Sequence, residues 1–92
     1  MNNILENKRV KINKIILKPS EATGHHFHDY DYIIIPMTDG NLVSVNAKHK
    51  KTKFTMEKGV PYFRKAGVEH NVINTGENIL EFIEIELLKD EK

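Results

Sequence analysis

Short apolar segments with a period of two run through this chain, and this period limits the folds that it can adopt. Near the C-terminus, in residues 79–88, Ile83, Ile85 and Leu87 alternate with Glu84 and Glu86. A period of two places successive side chains on opposite faces of a β-strand, whereas a helix repeats about every 3.6 residues. Leucine and glutamate are good helix formers, yet the period favours a strand.

Residues that favour turns separate the apolar segments at intervals of about ten residues. The turn pairs are Pro19 with Ser20, Asp39 with Gly40, Lys58 with Gly59, and Thr75 with Gly76. Short strands at this spacing are typical of all-β sandwiches and barrels. Because no linker or internal repeat interrupts the pattern, we expect one domain that spans residues 1–92.

The composition excludes several classes of partner and chemistry. The 14 lysine and arginine residues nearly balance the 13 aspartate and glutamate residues, and the formal net charge is only +1. Such a charge provides no field that would recruit nucleic acid or an anionic membrane. The chain has no cysteine, so disulfides, thiolate nucleophiles and thiolate metal ligands are excluded.

The size and termini of the chain bear on its compartment and assembly. Residues 1–9 carry charged side chains and lack the apolar core of a signal peptide. Together with the absence of cysteine, this favours a cytoplasmic protein. The apolar run at residues 33–35 is too short to cross a bilayer. A chain of 92 residues buries a modest core, so we expect a homodimer that uses residues 10–17 and 79–88.

Three histidines are the strongest indication of function. His26 and His28 flank Phe27, and His70 lies in residues 59–74, which glycines and a proline divide into short runs. Residues two apart in an extended strand share one face, so His26 and His28 form a pair of potential ligands. Catalytic metal sites often use about three protein ligands, and neutral imidazole is the commonest. The sequence predicts a metal site at His26, His28 and His70, with hydrogen-bonded histidines as the alternative.

The segment around His70 follows the motif of a known family. The spacing of the second cupin motif, G-x5-P-x-G-x2-H-x3-N, is met at Gly59, Gly67, His70 and Asn74. Lys65 stands where the motif has proline. The first cupin motif is partly met by His26 and His28 with Gly40. The chain therefore resembles the small single-domain cupins, and most of all a group in which some members are labelled β-alanine degradation proteins.

This resemblance implies an all-β fold, namely a cupin-type jelly-roll barrel of short antiparallel strands with a ligand pocket at its mouth. It also implies a divalent metal in that pocket, because many cupins hold iron, manganese, zinc or nickel, and it implies a dimer. Imidazole suits several of these ions, so the sequence leaves the identity of the metal open.

One position departs from the first cupin motif. Four residues beyond His28, where cupins usually have a metal-binding glutamate, this chain has Tyr32. If the strand continues unbroken, Tyr30 and Tyr32 share the histidine face, whereas a bulge would bring Asp31 inward. The predicted metal shell is therefore open between three histidines with Tyr32 or Asp31 and three histidines with water.

Arg64 and Tyr62 are the candidate ligand-binding residues. The planar guanidinium of Arg64 suits a substrate carboxylate, with a surface salt bridge as the alternative. We predict a pocket that binds a divalent metal and a small organic acid, in a metal-dependent enzyme of small-carboxylate or β-alanine catabolism. In that enzyme Tyr32 or Tyr30 would move a proton. The alternative is a metal-free, non-catalytic cupin that binds a small metabolite.

Overall fold

The computed structural model describes residues 2–89, and these residues form β-strands and no helix. The strands are β1 Asn2–Glu6, β2 Val10–Leu17, β3 His26–Phe27, β4 Tyr32–Pro36, β5 Gly40–Asn46, β6 Lys51–Met56, β7 Tyr62–Arg64, β8 Glu69–Asn74 and β9 Leu80–Leu87. The described residues contain no helix long and apolar enough to cross a membrane. The strands predicted from the period-two segments are present, whereas the short strands β1 and β7 were not predicted.

The strands form two antiparallel sheets that face each other. One sheet has five strands in the order β1-β2-β9-β4-β7, and the other has four in the order β3-β8-β5-β6. The predicted all-β, cupin-type jelly-roll architecture is confirmed, but the two sheets are not closed into a barrel. Within residues 2–89 no strand belongs to both sheets, and strands β3 and β7 are too short to continue the hydrogen-bond ladder across the gap.

Most connections carry the chain from one sheet to the other. Only the β1–β2 and β5–β6 connections join paired neighbours within one sheet. The turns predicted at Asp39 with Gly40, at Lys58 with Gly59 and at Thr75 with Gly76 all cross between sheets and form no hairpin. The φ of Gly59 is 79°, a left-handed conformation that favours glycine at this turn.

The core between the sheets is apolar at one end and polar at the other. On the inner face of the five-stranded sheet, Leu17 lies opposite Leu80 and the next inward position pairs Ile15 with Phe82. All four side chains are buried. One step further along the same strands, the inward position is occupied by Asn13 opposite Glu84. The polar end of the core therefore lies where strands β2 and β9 carry buried polar groups.

Strand β9 has apolar residues on both faces, and the acidic residues do not all point to solvent. Leu80, Phe82 and Glu84 are buried on its inner face, whereas Ile83 and Ile85 lie on the outer face. The alternation of isoleucine with glutamate correctly predicted a strand. It did not show that the face carrying the glutamates is the one that enters the core.

An apolar row crosses the outer face of the five-stranded sheet. Leu5, Ile12, Ile85, Ile33 and Phe63 occupy successive paired positions on β1, β2, β9, β4 and β7. The ends of this row are open, since Leu5 is 47% and Phe63 49% exposed. An apolar surface that spans a whole sheet is unusual for a protein with nothing bound to it.

We propose that a second copy of this chain covers the outer face. Five strands about 4.8 Å apart and up to eight residues long give a face of roughly 20 by 25 Å. The area of this face, about 500 Å², is more than half of the about 800 Å² per partner that a standard interface buries. All five residues of β1 are exposed, including the apolar Ile4 and Leu5, so this strand also lacks packing within one chain. A two-fold pair buries the same face on both copies.

We therefore predict that the Phe63→Lys, Ile16→Lys double variant is a monomer under conditions in which the wild-type chain is a dimer. Both residues are about half exposed in one chain, so the lysines should leave the fold intact while placing charge in the interface. Light scattering at micromolar concentration measures the mass. Phe27→Lys, which is equally exposed but on the other sheet, is the control and should stay dimeric. A monomeric wild-type chain would contradict the proposal.

Candidate metal centre

The pairing of β3 with β8 brings the three histidines together. His26 lies opposite His70 in the antiparallel register. The ladder continues past β3, because the His28 backbone N–H donates to Val68 O (2.8 Å) and the Gly67 N–H donates to His28 O (2.9 Å). His26 and His28 therefore stay on one face. One ring nitrogen from each of the three imidazoles lies within 4.8 Å of the other two, which is the arrangement that a metal-binding set requires.

Hydrogen bonds orient two of the imidazoles. His26 Nδ1 lies 2.8 Å from the carbonyl oxygen of Gly24. A carbonyl only accepts, so this nitrogen donates, and the neutral ring then has its free lone pair on Nε2. His70 Nδ1 bonds to Ser44 Oγ at 2.9 Å, and Nε2 keeps its lone pair for a ligand when Nδ1 donates to the hydroxyl oxygen. Partners of this kind fix ring orientation in known metal sites.

His28 is buried and held by stacking. It is 4% exposed, and its ring lies over that of Tyr32 with centroids 3.9 Å apart and an angle of 19°. Its Nε2 is buried and has no hydrogen-bond partner among residues 2–89. A buried nitrogen without a partner is costly, and binding to a metal ion would satisfy it. The donor set and this nitrogen therefore fit a divalent ion.

Burial keeps His28 and His70 neutral. It lowers the pKa of His28 to about 4, with a further contribution from His26, and the charge of Asp29 opposes the shift. Burial likewise lowers the pKa of His70 to about 4, with His26 and His28 contributing. Only the neutral imidazole can bind a metal, so these two ligands carry no competing proton at neutral pH.

The two candidate catalytic tyrosines occupy different places. Tyr32 is 2% exposed, lines the cavity and stacks on His28. Burial raises its pKa to about 12, so its hydroxyl stays protonated at neutral pH. Tyr30 lies in the bend between β3 and β4 and does not line the cavity, because that bend breaks the parity of an unbroken strand. Asp31 is exposed and accepts a hydrogen bond from the Ala66 N–H, away from the histidines.

Arg64 and Tyr62 both face the cavity from β7. The Arg64 guanidinium lies 4.5 Å from the Tyr62 ring centroid and 5.4 Å from that of Phe54. Its Nη1 donates to the carbonyl oxygen of Phe63. No carboxylate within residues 2–89 forms a salt bridge with Arg64, and its role as a ligand-binding residue stays a prediction. Its remaining N–H groups can donate hydrogen bonds to a ligand in the cavity.

The cavity has a volume of about 250 Å³ and lies between the two sheets. Its polar groups include the three histidines, Arg64, Tyr32 and Tyr62, and its walls include apolar side chains of both sheets, among them Ile34, Leu42, Phe54, Val72 and Phe82. This volume suits a small molecule, and the polar groups converge from opposite sheets. Metal binding, ligand binding and catalysis by these residues remain predictions.

Glu84 is a cavity residue that the sequence analysis did not identify. It is 4% exposed, lines the cavity and accepts a hydrogen bond from the side chain of Asn13 (3.2 Å). Burial raises its pKa, and the hydrogen bond from Asn13 opposes the rise. Its Oε2 lies 3.9 Å from His28 Nε2. The sequence could have identified Glu84, because it lies two and four residues after Phe82 and Leu80 and therefore on the same apolar face of β9.

We predict that mild acid destabilises the metal-free protein through His28. The folded pKa of about 4 is below the ordinary value of 6.5, so the unfolded chain binds more protons between these two pH values. The contribution of neutral His28 is complete above pH 6.5 and falls as the pH drops toward 4. At pH 5 the loss that comes from His28 is about 2 kcal/mol. His70 has the same lowered pKa and adds to the total loss that urea unfolding at pH 5 and 7.5 would measure, so the share of His28 is the difference between the wild type and a variant without it.

Matched asparagine variants test this pH dependence. In His28→Asn the loss of stability between pH 7.5 and 5 should be smaller, because the titrating group is gone. His49→Asn changes an exposed loop histidine with a φ of 64°, a conformation that asparagine tolerates, and should follow the wild type. The same pH dependence in His28→Asn and the wild type would show that His28 titrates normally in the folded protein.

Comparison with known proteins places this fold and site in a family. No family model matches the chain. The curated β-alanine degradation protein BauB of Pseudomonas aeruginosa is 37% identical over 83 residues, which are 90% of this chain and 86% of that protein. A cupin domain from Bordetella pertussis is 36% identical, with a TM-score of 0.87 over 96% of this chain and 95% of that chain.

A more distant structure agrees in fold alone. The RmlC-like cupin from Methanocaldococcus jannaschii, described as a double-stranded β-helix, has a TM-score of 0.78 at 18% identity, over 95% of this chain and 77% of that chain. The all-β fold of the chain agrees with that of the two cupin structures. The chain belongs to the small cupins and is a relative of BauB.

Proposed function

We propose that this protein binds a divalent metal ion through His26, His28 and His70, and a small organic acid beside it. The observation that carries the proposal is the convergence of three imidazole nitrogens within 4.8 Å, in a cavity that also contains Arg64. His26 offers the lone pair of its Nε2, and His28 has a buried nitrogen with no hydrogen-bond partner among residues 2–89.

The protein groups of the site divide into two sets on opposite sheets. His26 and His70 belong to the four-stranded sheet, whereas Arg64 and Tyr62 belong to the five-stranded sheet. A bound divalent ion would act as a Lewis acid, which polarises a coordinated oxygen or lowers the pKa of water. Imidazole ligands suit zinc, iron, nickel and manganese, so we leave the metal unassigned.

Arg64 is suited to hold the carboxylate of the organic acid. Stacking on Tyr62 and Phe54 limits the motion of the guanidinium, so less entropy is lost when a ligand binds. The cavity of about 250 Å³ restricts the ligand to a small molecule. Tyr32 stands opposite Arg64 in the register of β4 and β7, and its protonated hydroxyl is a hydrogen-bond donor for the same ligand.

The name of the relative suggests where such a reaction belongs. BauB is called a β-alanine degradation protein, and we propose a metal-dependent enzyme of β-alanine or other small-carboxylate catabolism. Tyr32 is then the group that moves a proton, since it lines the cavity and Tyr30 does not. The absence of cysteine supports the cytoplasm as its compartment.

A metal-free, non-catalytic binding module is the second candidate. Tyr32 occupies the position of the usual metal-binding glutamate of cupins, and this observation favours it. In this case the histidines line the pocket as polar groups, and Arg64 still binds the carboxylate. Metal content separates the two candidates.

We predict that the protein purified without added metal contains roughly one divalent ion per chain, measured by elemental analysis. The His26→Ala, His28→Ala double variant should lose the ion and keep its fold, because the apolar core lies at the other end of the strands. His25→Ala is the control, since His25 is exposed and pairs with Glu69 at the surface. Wild-type protein free of metal after reconstitution would favour the binding module.

We further predict that Arg64→Lys binds propionate at least about tenfold more weakly than the wild type, as measured by calorimetry. Lysine keeps the charge but loses the bidentate fork and the stacking on Tyr62. Lys65→Gln, which changes the next, exposed residue, should bind normally. The affinities of the wild type and Arg64→Lys for the uncharged propionamide should differ little. Equal propionate affinity in both would exclude Arg64 as the carboxylate ligand.

A further inference from the structure

Glu84 is a buried carboxylate in direct contact with the histidine cluster. Its Oε2 lies 3.9 Å from His28 Nε2, and its Oε1 accepts the hydrogen bond from Asn13. Asn13 is itself buried and receives a hydrogen bond from Asn3 Nδ2 (3.1 Å). This chain of amides holds one oxygen of Glu84 in place and leaves the other beside His28.

Burial raises the pKa of Glu84 and outweighs Asn13, His26 and Lys11, which favour its charged form. The neighbouring inward positions on β9, β4 and β2 carry Phe82, Ile34 and Ile15, which are apolar. The side-chain amide of Asn13 is a neutral donor, and His28 is neutral at ordinary pH. An ionised carboxylate in such a place is expensive unless a cation lies beside it.

The proposed metal site lacks a negative charge. Three neutral imidazoles supply no negative charge, so a divalent ion among them keeps its full charge in a half-buried pocket. Other nearby carboxylates are engaged elsewhere, since Glu69 pairs with His25 at the surface and Asp31 accepts a hydrogen bond from Ala66. Glu84 is the buried carboxylate next to the cluster.

The distance is that of two ligands of one ion. Bonds of about 2.1 Å place two ligand atoms about 3.4 Å apart at a tetrahedral angle and about 4.2 Å apart when they are opposite. The 3.9 Å between Glu84 Oε2 and His28 Nε2 lies in this interval. Glu84 approaches from the His28 side and lies outside the three-histidine set.

We propose that Glu84 is the fourth protein ligand of this metal centre, through Oε2. This inference rests on the proposed metal binding and adds a residue to it. The carboxylate comes from β9, which pairs with β4, so it reaches the same inner face from the neighbouring strand. Tyr32 on β4 then stacks on His28, and Glu84 takes the metal-binding role of the glutamate that cupins usually have at the position of Tyr32.

Cobalt(II) binding to Glu84→Gln tests the inference without any assay of activity. Glutamine keeps the size and the acceptor for Asn13 but is a poor metal ligand. We expect wild-type protein to bind one Co²⁺, and Glu84→Gln to bind it about 10- to 100-fold more weakly by calorimetry, with a changed visible absorption spectrum. Glu86→Gln is the matched control, because Glu86 is also an inward residue of β9 that accepts from Asn13. It should bind within about twofold of the wild type with an unchanged spectrum.

The remaining outcomes separate this inference from the proposed function. Unchanged affinity and spectrum in Glu84→Gln overturn the role of Glu84 and leave the three-histidine site in place. Wild-type protein that binds no Co²⁺ overturns both. A lower melting temperature of metal-free Glu84→Gln with an unchanged spectrum shows a purely structural role and overturns the inference. If Glu84→Gln does not fold, Glu84→Asp, which keeps the charge but withdraws the oxygens, must show the same loss of affinity.

Discussion

The pairing of β9 with both β2 and β4 is the constraint on which the rest of the structure depends. The β2 ladder runs over all eight residues of β9, and the β4 ladder over five of them, which makes β9 the centre of the larger sheet. Its inner face carries Leu80 and Phe82 to the core and Glu84 to the cavity. Its outer face carries Ile83 and Ile85 to the surface that we assign to a second copy. One strand therefore connects core, site and assembly.

The site is assembled at a cost to the folded state. His28, Asn13 and Glu84 are all nearly inaccessible to water, at positions where apolar residues would pack more cheaply. Hydrogen bonds between amides offset part of that cost, but His28 Nε2 has no such partner among residues 2–89. Polar groups left partly unsatisfied in a core are typical of places where function opposes stability.

Much of the fold and the centre of the site were predictable because they depend on local periods and spacing. Two-residue periodicity gave β2 and β9, and the spacing of His26 with His28 placed both on one face. The sheet crossings were not predictable in this way, because a glycine turn has the same local sequence whether its strands pair or separate. Arg64 reached the cavity through the pairing of β7 with β4, a contact between distant segments that spacing along the chain does not encode.

Glu84 shows why a sequence motif does not identify every residue of a site. A motif counts residues along one strand, and at the counted position this chain has Tyr32. A metal ion requires only that suitable ligand atoms lie around one point. Because β9 pairs with β4, Glu84 of β9 lies beside His28 and can take the place of the ligand that the motif puts on β4. The loss of a ligand from one strand can thus be offset by a residue on its neighbour. A search for the ligands of such a site should therefore include every inward residue of the sheet, and not only the residues at fixed spacing within one strand.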